Sequence, residues 1–142
     1  MDETSNGYRI LDHTADVGIE ARGRDLARLF TNAARGMLSL MADTASVRPE
    51  RRVEITVEEE GLEDLLVAWL GEILFVSETR LLVFHDVRVT EADETSVRGE
   101  LSGEHIDSTR HDLGSEIKAV TYHDCRVVHD GDGWTATVLF DI

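Results

Sequence analysis

Apolar positions recur along this chain in two rhythms, and each predicts an element. Leu26, Leu29, Phe30, Ala33, Ala34, Met37, Leu38 and Met41 return at steps of three and one. That period is close to 3.6 and predicts a helix with one buried face. Asp25 stands just ahead of it, where a carboxylate accepts from the unpaired amides of the first turn. Val53, Ile55 and Val57 alternate with Glu54, Thr56 and Glu58, the pattern of a strand with one wet face. A second helix is expected from about Leu62, with Leu62, Leu65, Leu66, Trp69, Ile73 and Val76 on its inner face. Glu63 and Asp64 fall in its first turn, where the helix dipole favours negative charge. Residues 8–11 and 17–21 read as extended, as do 82–89, 95–102, 117–128 and 134–140, with 104–115 as a loop or irregular edge. Two amphipathic helices on one face of a mostly antiparallel sheet make an α+β two-layer sandwich. No repeat, low-complexity tract or Pro- or Gly-rich linker interrupts the chain, so residues 1–142 are expected to form one domain.

The last two strands flank His129-Asp-Gly-Asp-Gly133, and Asp-Gly is a strong hairpin signal. With a two- or four-residue loop, Asp141 would lie opposite Tyr122 or Val120. Opposed residues share a face, so Asp141 would project on the side of Lys118, Val120 and Tyr122. Ile142 would sit opposite Thr121 or Ala119. An odd-length loop would flip these faces. The chain end then offers two carboxylates within one residue, and adjacent oxygen donors suit a hard cation such as Ca²⁺ or Mg²⁺. A further acidic group must meet them, and spacing alone leaves that partner open. The stretch from Leu11 to Ile19 packs Asp12, His13, Thr14 and Asp16 between two apolar runs; by itself it reads as a turn capped by Asp12, Thr14 or Asp16.

Charge narrows the options. Asp plus Glu is 29 against 14 Lys plus Arg, a net charge of −15. A surface this acidic has few cations with which to displace counterions from a phosphate backbone, so direct nucleic-acid binding is disfavoured. Lys118 is the only lysine. Carboxylate excess with lysine nearly absent points to a halophilic protein, whose acidic surface stays hydrated while salt screens its self-repulsion. Its melting temperature is therefore expected to rise with salt; a flat or falling dependence in a thermal scan would contradict this.

One cysteine, Cys125, excludes an intramolecular disulfide. The polar N-terminus does not resemble a secretory signal, and no run of eighteen apolar residues suggests a membrane span, so a cytoplasmic protein is expected. The six histidines show no paired zinc spacing, and no phosphate-cradling glycine loop or nucleophile elbow is present. Thr121, Tyr122, His123 and Asp124 carry nucleophile-like chemistry, but such a run in a strand more often serves packing.

Four segments together resemble the archease family: Asp12-His-Thr-Ala-Asp-Val-Gly-Ile19, Leu65-Leu-Val-Ala-Trp-Leu-Gly-Glu-Ile-Leu-Phe75, Glu116-Ile-Lys-Ala-Val-Thr-Tyr-His123 and Val138-Leu-Phe-Asp-Ile142. The resemblance covers nearly the whole chain in order. It implies a protein that is not itself an enzyme but activates an RtcB-type RNA-splicing ligase in tRNA processing. That ligase joins RNA ends through a guanylylated histidine, using GTP and divalent metal. The resemblance further implies a metal site at Asp16, Asp141 and Ile142, with Ca²⁺ expected first and Mg²⁺ or Mn²⁺ as alternatives. It gives Lys118 a role in ligase activation, and implies contact with RNA only through the ligase and none with a membrane. Two other readings compete: a stand-alone metal-dependent hydrolase using Asp16, Asp141 and His123, which predicts turnover without a partner, and an RNA-binding chaperone, which predicts RNA affinity by itself.

Overall fold

The computed structural model describes residues 7–12 and 16–142. In chain order it contains β1 (Tyr8–Asp12), β2 (Asp16–Gly23), α1 (Leu26–Met41), β3 (Arg51–Glu58), α2 (Leu62–Arg80), β4 (Leu82–Ala92), β5 (Ser96–His105), β6 (Ala119–Asp130) and β7 (Gly133–Asp141). The α+β class holds, with every strand pair antiparallel. The expected single sheet, however, is two: one ordered β1-β2-β7-β6 and one ordered β3-β5-β4. The division follows from long-range pairing, since β2 joins β7 from the far end of the chain while β3 and β4 pair only with β5. Each helix touches both sheets: α1 packs on β2 and β4, α2 on β6 and β3.

Helix α1 follows its apolar stripe, with Leu29, Phe30, Ala33, Ala34 and Met37 wholly buried. Asp25 Oδ1 accepts from the Arg28 amide at 2.8 Å, the cap the sequence predicts. Helix α2 is less one-sided than expected. Val67, Leu70 and Leu74 are buried besides the predicted inner face, because a helix set against two sheets has little surface left for water. Trp69 is fully buried, and its indole N–H donates to the Phe30 carbonyl at 3.1 Å, tying α2 to α1. Gly99 of β5 makes room for it: a Cβ there would lie 2.5 Å from Trp69 Cη2.

The segment between β5 and β6 is pinned by a buried carboxylate. Glu104 and His111 are almost fully buried. The Arg48 amide donates to Glu104 Oε2 at 2.5 Å, and Arg110 pairs with Oε1. His111 Nδ1 accepts from the Asp107 amide at 2.9 Å, so its proton sits on Nε2, 3.1 Å from Glu104 Oε2. Burial opposes the Glu104 charge, but the Arg48 amide, His111 and Arg110 outweigh it and hold its pKa down, from 4.5 to about 2. The unfolded chain therefore binds this proton more readily than the folded one. The stabilisation is full above about pH 4.5 and is lost as pH falls through about 2. The stability gap between wild type and Glu104→Gln, read from urea titrations at successive pH values, is expected to close over that window. A gap that stayed constant would show that the charge contributes nothing.

Candidate functional site

Strand alternation builds the site. Val17, Ile19 and Ala21 of β2 point into the core, as do Phe140, Val138 and Ala136 of β7, opposite them in the same register. Asp16 and Asp141 are therefore placed on the other face, directly opposed across the β2–β7 pair. Asp141 is also opposite Ala119 of β6, and its carbonyl accepts from the Lys118 amide at 2.7 Å. Asp141 is exposed; Asp16 is half-buried, with Oδ1 out of contact with solvent. Gly18, two residues beyond Asp16, sits across from Leu139. A Cβ on Gly18 would come within 2.5 Å of Leu139 Cδ2 and 2.7 Å of the Val138 carbonyl oxygen. The absence of a side chain there leaves room for the Leu139 side chain, which lies over Gly18.

The route to this arrangement differs from the expected one. The hairpin loop is two residues, Gly131 and Asp132, since Asp130 pairs with Gly133. That alone would set Asp141 opposite Tyr122. But residues 122–125 of β6 stand opposite Val138 alone, between the pairs Thr121–Leu139 and Arg126–Thr137. The three extra residues are an odd number, so the faces flip beyond them. Asp141 lies opposite Ala119 and not on the face of Lys118, Val120 and Tyr122, and Ile142 is not opposite Thr121 or Ala119. Lys118 is joined to Asp141 through the backbone instead. Asp124 takes up part of the bend with φ 54°. Four polar residues in a row, 121–124, break the two-residue alternation, and that was the one signal of a bulge in the sequence.

The bulge leaves Tyr122, His123 and Asp124 exposed. His123 Nε2 lies 3.4 Å from Asp124 Oδ2. Neighbouring Cys125 is half-buried, and burial, reinforced by Glu63 and Asp64, pushes its thiol up to about 11. A thiol that resists ionisation is a poor nucleophile.

Among the described residues no three His, Cys, Asp or Glu side chains gather closely enough to hold a metal. Asp16 and Asp141 are thus a pair. Their chemistry suits a hard cation: oxygen donors on neighbouring strands, facing the same side, with one oxygen shielded from water. Two carboxylates do not complete the six to eight oxygens that Ca²⁺ takes, so other donors have to join them. His13, Thr14 and the Asp12 side chain, named for the expected capped turn, lie outside the described residues.

Comparison with known proteins gives a consistent result. Residues 8–142 match the model of the "Archease protein family (MTH1598/TM1083)". Protein archease of Methanosarcina acetivorans is 38% identical over 146 residues, covering 100% of both chains. That of Thermococcus gammatolerans is 39% identical over 135 residues, covering 92% of this chain and 95% of its own. The solution structure of Methanobacterium thermoautotrophicum protein 1598 is similar with a TM-score of 0.76 at 35% identity, over 96% of this chain and 99% of that one. The crystal structure of a Thermotoga maritima archease, described as a possible chaperone, shares the fold with a TM-score of 0.64 at 20% identity, over 93% and 94% of the two chains.

Proposed function

The chain belongs to the archease family, and from that membership we propose that it is an accessory protein activating a GTP-dependent RNA-splicing ligase of the RtcB type. It promotes guanylylation of the ligase and its multiple turnover in tRNA exon ligation, and it works in the cytoplasm. The observation that carries this reading is the opposition of Asp16 and Asp141 at one end of a sheet. That arrangement is an acidic tip suited to delivering or holding a cation at a partner's phosphate chemistry.

Asp16, Asp141 and the Ile142 carboxylate would hold the ion, with Ca²⁺ preferred and Mg²⁺ or Mn²⁺ admissible. When bound, the ion supplies positive charge against the oxygens of a reacting phosphate. The protein's own residues do the positioning. Val17 and Phe140, buried on either side, fix the two strand ends. The Lys118 amide ties the segment before β6 to the Asp141 carbonyl, and the exposed Lys118 side chain, a compact point charge, would take part in activating the ligase. With −15 overall, the chain meets RNA through the ligase rather than directly.

Single-turnover guanylylation of the cognate ligase, with and without this protein, tests the reading alongside RNA binding by the protein alone. Faster guanylylation and no RNA affinity are expected. Turnover without the ligase would favour a hydrolase, and RNA affinity at moderate salt a chaperone. Adding residues after Ile142 is expected to reduce stimulation by removing its carboxylate; undiminished stimulation would remove Ile142 from the site.

A further inference from the structure

Away from the acidic tip, a cavity of about 370 Å³ opens between the ends of α1 and α2, the start of β4 and the segment leading into β6. Leu38, Met41, Leu74, Phe84, Leu113 and Ile117 make its walls apolar. Its lip is also apolar and exposed, with Ile106 at 38% and Leu113 at 45%. Two carboxylates, Glu78 and Glu116, line it from exposed positions, and no cation does so among the described residues.

The wall formed by residues 113–117 is a strap. The Gly114 and Ser115 amides donate to the Met41 and Leu40 carbonyls at 2.9 and 2.7 Å. Three residues on, the Lys118 amide donates to the Asp141 carbonyl. One short segment therefore walls the cavity and is also joined through its backbone to Asp141 at the tip. A single partner surface lying along it would cover both.

We propose that this cavity seats an apolar side chain of the ligase, presented beside a lysine or arginine that Glu78 and Glu116 face. The proposal rests on the activator reading above and adds a second point of attachment to it. The volume suits one or two large side chains, and buried apolar anchors of this kind carry a large part of an interface's affinity. The acidic lining, without a cation to neutralise it, selects for positive charge on the occupant. The tip performs the activation and the cavity holds the partner, so damage to the cavity weakens binding without removing the stimulation reached at saturation.

The experiment measures ligase binding by titration calorimetry for wild type, Leu113→Ser and the double variant Glu78→Lys with Glu116→Lys. The control is Glu91→Lys with Glu94→Lys, the same charge change at the β4–β5 turn. All substituted side chains are exposed, and thermal scans verify folding. Both cavity variants are expected to bind about 10-fold more weakly, with the control within about 2-fold, and with guanylylation at saturating protein unchanged. The charge-reversal loss is expected to shrink as salt rises. Unchanged affinity in both cavity variants, while wild type binds, would overturn the proposal and leave the activator reading standing. A wild type that neither binds nor stimulates the ligase would overturn both. Self-association abolished by Leu113→Ser would assign the cavity to a second copy of this chain and overturn the ligase as its occupant.

Discussion

Asp141→Asn and Asp16→Asn are each expected to abolish stimulation of the ligase while the fold survives. The two side chains are opposed on one face of adjacent strands, so either amide lowers the local negative charge by one and removes a hard anionic donor. Divalent-ion affinity, measured by calorimetric titration, should fall by about 100-fold. Stability without metal should move the other way. Like charges directly opposite one another are destabilising, so Asp141→Asn, at an exposed position, is expected to be more stable than wild type by up to about 1 kcal/mol at low salt. This paired outcome separates a cation-holding pair from two solvated surface residues, for which both quantities would stay flat. A variant that stimulated guanylylation normally would show that the tip is not the functional site.

The largest loss of stability is expected from Trp69→Ala. The indole is fully buried between the helices and over Gly99, and its N–H satisfies the Phe30 carbonyl. Truncation leaves a void that the surrounding sheet and helices fill only in part, at a cost of about 3–5 kcal/mol. That is a large share of the 5–15 kcal/mol by which domains are usually stable. Urea unfolding reads it directly. Trp134, half-buried and tilted at 45° against His129 with 4.5 Å between ring centroids, remains as the fluorescent reporter. A loss below about 1 kcal/mol would mean that the helices are held together by other contacts. At temperatures where the variant stays folded, ligase stimulation should persist, because Trp69 lies on α2 and the acidic tip on β2 and β7.

Several features were legible because they depend on neighbours in the chain. The bounds of α1 follow from one apolar stripe and one capping aspartate. The start of α2 at Leu62 and the place of the last hairpin are equally local, whereas the length of its loop stayed open between two, four and an odd number until the strands were paired. The candidate site was legible only in pieces. Spacing put Asp141 and Ile142 at the end of a strand but left the third donor open. The family resemblance, not any periodicity, singled out Asp16. The face of Lys118 was misassigned, because hairpin counting assumes an unbroken ladder and residues 122–125 break it. Glu104 and His111 gave no sign that they would be buried, since both lie in a polar stretch; only the packing of that stretch on the Arg48 and Ser46 backbone encloses them.

The sequence by itself determined the elements, the class and the family, because periodicity, capping and turn chemistry act over a few residues and a family motif is a string. Tertiary structure alone decided that β2 lies against β7, that the sheet divides in two, and that a bulge resets the register of β6. These choices are made between segments more than a hundred residues apart, or by a few extra residues whose cost depends on what packs beneath them. No local pattern encodes such a comparison, and it is this pairing that sets Asp16 and Asp141 side by side.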